Sequence, residues 1–215
     1  MKNAAQAVSK GKPKQKGFLS FMVFNLAGFL ASMVEFYQEE FSLILDSRKV
    51  LLPPTESALG AGIIMAGGIT IEQDLAKIKA LSDGELYRYI DENIDECIDR
   101  EKEQPRPVEP YGLWTPAAVE AVDQAPRLAG KSYLDVQEMK ELPLVMNFAE
   151  YVRFARWHLW ATGQPLDRNN ATLTSSLDAD GHVLRGDRCG VGFRVNCFSQ
   201  HHSYALFRFR EVVLP

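Results

Sequence analysis

From Gly17 to Val34 the chain reads GFLSFMVFNLAGFLASMV, eighteen residues without a charge. A helix over 18–34 has no polar face to offer water, so it must be buried in lipid or in protein. Its flanks are asymmetric. Lys2, Lys10, Lys12, Lys14 and Lys16 precede it with no acid among them, and Glu35, Glu39 and Glu40 follow. Basic before and acidic after is the pattern of a single-pass helix whose N-terminus stays in the cytoplasm, matrix or stroma. Gly28-x-x-x-Ser32 and Ala27-x-x-x-Ala31 also put small residues on one side, where a second helix can approach closely. A secretory signal peptide fits less well, because no small-residue cleavage triplet closes the run. The remaining reading is a core helix of a soluble, cytoplasmic protein, with Ser20 and Asn25 hydrogen-bonded inside it. The flanks favour the membrane span.

A second apolar stretch, SALGAGIIMAGGITI over 57–71, is too short for a full span. Ala58, Gly62 and Ala66 recur every four residues, so as a helix they line one face and make a hairpin partner for 18–34. Nucleotide binding is excluded here. Gly67-Gly68 is followed by Ile69-Thr70 instead of the Lys-Ser/Thr of a phosphate loop, and Gly60-x-Gly62 lacks the third glycine of a dinucleotide fingerprint.

Thr70-x-x-Gln73 and Ser82-x-x-Glu85 match capping boxes, which places helix starts at 71 and 83. In the second helix Leu86, Ile90, Ile94 and Ile98 form an apolar stripe beside Cys97, and Asp91, Asp95 and Asp99 line the opposite face. Like charges four apart oppose an isolated helix, so that acidic face suits a basic partner or plain solvation. QPRPVEPYGLWTP over 104–116 holds four prolines and reads as an extended connector between domains. Beyond it, Thr115-Pro116 and Ser132-x-x-Asp135 start helices, and a longer helix runs over 143–162 to Gly163. Leu144, Phe148, Val152, Ala155 and Leu159 form its core stripe. Tyr151, Arg153, Phe154, Arg156, Trp157, His158 and Trp160 lie off that stripe, an aromatic and basic set suited first to burial all round or a protein interface, then to a membrane interface, and last to single-stranded nucleic acid, which the acidic body disfavours.

After Asn170 the pattern alternates, with a turn signal at Asp178-Ala-Asp-Gly181, so an antiparallel sheet of three or four strands should pack on the 143–162 helix. His182, Cys189, Cys197, His201 and His202 are the one grouping that resembles chemistry. The zinc-knuckle spacing is missing, and eight residues of strand separate the two cysteines by roughly 26 Å. Cys189 in a glycine-rich loop with His182 or His201 remains the candidate nucleophile pair of a cysteine-dependent hydrolase. Arg185-Gly-Asp187 resembles an adhesion tripeptide and Asn170-Ala-Thr172 a glycosylation acceptor, both common by chance.

The expected organisation is α+β: a basic tail (1–17), an apolar helical anchor or hairpin (18–69), a helical segment (70–103), the connector (104–116), and an α+β domain (117–215). The N-terminal two-thirds should be mostly helical and the small antiparallel sheet C-terminal. With 46% hydrophobic residues and a formal charge of −4, the chain is an ordered protein whose acidic body disfavours nucleic acid. Three cysteines do not make a disulfide scaffold. No cofactor is expected. The leading expectation is a noncatalytic accessory subunit of a membrane-associated assembly, meeting a protein partner or a second copy through Asp91, Asp95, Asp99, Arg153, Arg156, Trp157 and Trp160; a soluble hydrolase and a soluble regulatory module are the alternatives.

Overall fold

The computed structural model describes residues 26–54, 60–81, 86–89, 106–116, 128–141, 143–163, 166–167, 170–178, 180–189 and 192–215. Its first element, α1, runs Leu26–Phe41, so the helix does not stop at the acidic flank but passes through Glu35, Glu39 and Glu40. Phe29, Met33, Phe36 and Tyr37 are buried along it, a stripe that crosses the boundary between the uncharged run and the acids. Average hydropathy conceals that phase. The expected apolar anchor is in this half an amphipathic core helix, with 18–25 outside the described residues. Among the described residues no helix is long and apolar enough to cross a membrane. Burial of Phe29, Met33 and Phe36 contributes about 1.5–3 kcal/mol each. Ser42, in the left-handed conformation at φ 54°, ends α1 by donating its N–H to the Gln38 carbonyl. A short 3₁₀ turn, Ser47–Lys49, follows under an Asp46 cap.

The stretch expected as a helical hairpin partner is instead a strand, β1 (Gly60–Met65). A repeat of four keeps residues on one face of a strand as well as of a helix, so small-residue spacing could not separate the two. Helix α2 (Ile71–Leu81) begins where the capping box placed it, with the Gln73 side chain accepting the Thr70 N–H at 2.7 Å. The second box misleads: Leu86–Tyr89 is strand β2, and the acidic segment 90–105 lies outside the described residues. The proline-rich segment is extended as expected, its end, Tyr111–Pro116, forming strand β3, and the helix expected from Thr115-Pro116 would run through 117–127, outside the described residues. β3 pairs antiparallel with β1, Ile63 opposite Leu113 and Gly62 opposite Trp114. A Cβ on Gly62 would lie 2.6 Å from the Trp114 indole, so only glycine admits that ring.

Ser132 caps the short α3 (Tyr133–Gln137) in the expected box with Asp135. The longer α4 (Phe148–Thr162) starts five residues later than the apolar pattern suggested, because Leu144 and Met146 are engaged by backbone bonds to the C-terminal segment at Val212 and Arg210. Asn147 caps it in a box with Glu150, and Gly163 closes it at φ 68°. Strands β4 (Ala171–Leu177), β5 (Val183–Cys189) and β6 (Gly192–Phe198) form the expected antiparallel meander, with Gly181 in the β4–β5 turn at φ 79°. Two further strands correct the antiparallel expectation. β7 (Phe207–Phe209) joins β4 in parallel and β2 joins β6 in parallel, giving the order β2-β6-β5-β4-β7. Sheet structure is therefore not confined to the C-terminus.

The larger core joins α1, β1, α2, β3 and α4 to one face of the meander. A smaller core of Leu128, Val136, Val145, Leu173 and Phe209 lies among β4, β7 and α3.

Candidate functional site

Helix α4 determines where polar side chains end up. Glu150, Tyr151, Arg153 and Arg156 are all at most 2% exposed, and each is matched to a different element. Arg106 holds Glu150 through Nε at 2.6 Å and a second nitrogen at 3.1 Å, and the Tyr111 hydroxyl donates to the same carboxylate at 2.9 Å. Tyr151 donates to Asp167 at 2.9 Å, which also accepts from Thr172 at 2.7 Å and Arg210 at 2.6 Å. Burial, reinforced by the Asp167 charge, holds the Tyr151 hydroxyl well above its usual range, so it remains the donor. Arg153 reaches Asp74 on α2 at 2.6 Å and the Tyr37 hydroxyl on α1 at 2.9 Å. Arg156 meets Glu40 at the end of α1.

Two of these groups are imperfectly matched. Asp74 Oδ1 has no hydrogen-bond partner among the described residues, and burial pushes this carboxyl up to about 6 even though Arg153 pulls it down. Among the described residues Arg156 Nε and one terminal nitrogen find no partner, and burial lowers its guanidinium to about 10. A titratable Asp74 is the kind of group acid–base catalysis uses, but it is 1% exposed and its facing groups are Arg153 and, through it, Tyr37. Substrate cannot reach it in this arrangement. These contacts tie α1, α2, β3 and the sheet to one helix.

The expected nucleophile pair is separated by the sheet. Val183 pairs with Phe198 at one end of the β5–β6 ladder and Cys189 with Gly192 at the other. His182 precedes Val183 and His201 follows Phe198, so both stand at the far end from Cys189, roughly 23 Å along the strand. Neither histidine can serve Cys189 as base. Cys197 lies opposite Leu184, five ladder positions from Cys189, so the cysteines do not meet either. His182 instead approaches the Asp178 carboxylate at 3.1 Å in the β4–β5 turn. Among the described residues no group of three or more His, Cys, Asp or Glu side chains could hold a metal ion. Arg185-Gly-Asp187 is no adhesion loop: it lies in β5, with Arg185 and Asp187 buried and paired at 3.0 Å. Thr172 of the acceptor triplet is 1% exposed and donates to Asp167.

Of the residues expected to contact partners, Arg153 and Arg156 are the buried ion-pair members just described. Trp157 is half-buried against Phe154, and Trp160 packs edge-on to Phe36 while donating to Glu39 at 3.0 Å. Asp91, Asp95 and Asp99 lie outside the described residues.

What α1 leaves exposed is a separate surface. Its outer side and the loop after it form an open, shallow groove of about 640 Å³, floored by Ala27, Leu30, Ala31, Val34 and Ile44. Glu35, Gln38, Glu39 and Ser47 edge the groove. Ile44 is 83% exposed, an unusual position for a large aliphatic side chain beside other apolar groups. The sequence already contained the Ala27-Ala31 spacing, though as a contact within a membrane. Ile44 carried no signal of its own, since nothing in its neighbours distinguishes an exposed isoleucine from a core one. A smaller exposed apolar cluster, Tyr204 and Leu206, lies in the loop before β7.

No family model, no curated protein and no solved structure matches the chain.

Proposed function

We propose that this chain is a noncatalytic interaction protein, an accessory subunit of a larger assembly, and that it docks a protein partner through the outer face of α1. The observation that carries this reading is the groove between the outer side of α1 and the loop after it, where Ile44 is 83% exposed and Leu30 and Val34, half-buried against the core, form the floor with Ala27 and Ala31. A rigid helix with an apolar strip and a polar edge is the form of surface that takes another helix in its groove. The buried ion pairs fit the same role. They fix α1 through Tyr37 and Glu40, so its outer face is presented in one orientation.

The test is purification from the native source of the tagged chain and of its Ala31→Asp/Ile44→Asp double variant, both positions being exposed in the groove. The proposal expects at least one protein to be retained in fixed proportion by the parent chain and lost by the variant, with unfolding midpoints alike. Equal retention by both chains would contradict it.

A further inference from the structure

We propose that α2 is a proton-operated latch, closed against α4 in acid, where Asp74 is neutral, and released on a diglycine hinge once that carboxyl ionises. The hinge is Gly67-Gly68, exposed in the turn ahead of the helix. A Cβ at either position would meet nothing within 4 Å, and Gly68 has φ 80°. Beyond the hinge α2 is held by one side only: Ile71, Asp74, Leu75 and Ile78 are buried, while Glu72, Gln73, Ala76 and Lys77 are exposed. Arg153 of α4 makes the polar part of that contact. It donates to Asp74 at 2.6 Å and to the Ile69 carbonyl, between hinge and helix, at 3.3 Å.

The latch is sensitive because its carboxylate is half satisfied. Among the described residues Asp74 Oδ1 accepts no hydrogen bond, although the side chain is 1% exposed. An ionised carboxylate loses far more than a neutral carboxyl by going without that donor. Arg153 is the one cation acting on Asp74 among the described residues. Elsewhere on α4, Arg156 is taken by Glu40 and Glu150 by Arg106. Strand β6, which also packs on α2, carries Arg194, held by Asp187 at 2.8 and 2.6 Å. Tyr37 of α1, which shares Arg153, is the other titratable group facing Asp74, and burial raises its hydroxyl, so it stays neutral. Undocking returns Asp74 to water. Its carboxyl then falls from about 6 toward the ordinary 3.8, so opening releases a proton between those values and docking takes one up. The latch is therefore tightest below pH 4, loosens as pH rises to 6, and changes no further above it. Opening uncovers Arg153 with the apolar Leu75 and Ile78, a surface hidden in acid.

Hydrogen exchange of the full chain, followed by mass spectrometry from about pH 4 to 7 and corrected for the intrinsic rate at each pH, tests the latch. Amides of α2 should lose protection about 50-fold over that range, the factor set by the fall of the Asp74 carboxyl on opening. They should also exchange faster than those of β5 and respond little to urea below the unfolding transition, since local opening exposes little surface. Asp74→Asn should remove the pH step and leave α2 protected near the acid level. If that variant fails to fold, the ¹³C shift of the parent chain's Asp74 carboxyl reads the same proton and should move with a midpoint near 6. A midpoint near the ordinary 3.8, α2 protection independent of pH, or a step retained by Asp74→Asn overturns the latch. So does α2 exchange that matches β5 in rate and urea slope, because α2 then leaves only with the whole fold.

Discussion

At the scale of single residues, Asp74 and Gly186 set the sharpest constraints. Asp74 titrates at about 6 in the folded chain against an ordinary 3.8, because burial outweighs the attraction of Arg153. The folded form therefore takes up a proton as pH falls through 6, whereas the unfolded form waits until about 4. Its contribution to stability grows on acidification from pH 7 to 4 and is lost as pH rises through 6. Compared with Asp74→Asn by urea unfolding, the parent chain should gain about 2–3 kcal/mol relative to the variant between pH 7 and pH 4. A difference independent of pH would contradict the assignment. Gly186 is required for a steric reason: a Cβ there would collide with the Tyr151 ring, so Gly186→Ala should cost about 1–3 kcal/mol by the same measurement. Neither effect was legible in the sequence. The partners lie 79 residues apart for Asp74–Arg153 and on separate elements for Gly186–Tyr151, and local pattern carries no information across such gaps.

At the scale of elements, legibility followed the source of each signal. Caps are local chemistry, and the starts at Thr70 and Ser132 and the stop at Gly163 were readable because one side chain or one glycine suffices. Ser82-x-x-Glu85 shows the limit, since the same four letters precede a strand when β6 offers an open edge for pairing. Strand β1 was missed because a repeat of four is twice the strand period and close to one helical turn, so it keeps residues on one face of either. For α1 the length of the uncharged run outweighed the phase of Phe29, Met33, Phe36 and Tyr37. The aromatic and basic face of α4 was visible and burial was among its readings, but its partners were not legible, because the matching Asp74, Glu40 and Phe36 come from elsewhere in the chain. The box at α4 also separates two roles of Glu150. Asn147→Ala removes the cap alone and should cost about 1 kcal/mol. Glu150→Gln weakens the two-nitrogen contact with Arg106, which is only 9% exposed, and should cost about 1.5–3 kcal/mol beyond the cap. Comparable losses from the two variants in urea unfolding would show that the ion pair adds nothing beyond the cap.

At the scale of the whole molecule, the C-terminal segment joins the two sheets. Val213 exchanges backbone bonds with Trp114 of β3 at 3.1 and 3.0 Å, while Phe207–Phe209 lies in the five-stranded sheet beside β4. Removing 211–215 breaks both of these backbone bonds to the buried Trp114, at about 0.5–1.5 kcal/mol each. Calorimetry should show a lower, broader transition for the truncated chain, and an unchanged one would mean that the sheets are coupled through α4 alone. Among the described residues the α4 ion pairs are buried, His182 and His201 stand at the far end of the ladder from Cys189, and the groove on the outer side of α1 is the surface proposed here for docking. Hydroxyl-radical footprinting of the chain within its native assembly, set against the dilute isolated chain, tests this most directly. Leu30, Val34 and Ile44 should be protected in the assembly, with Tyr204 and Leu206 labelled equally in both. Equal labelling of the three groove residues in the two samples would contradict the assignment of α1 as the docking surface.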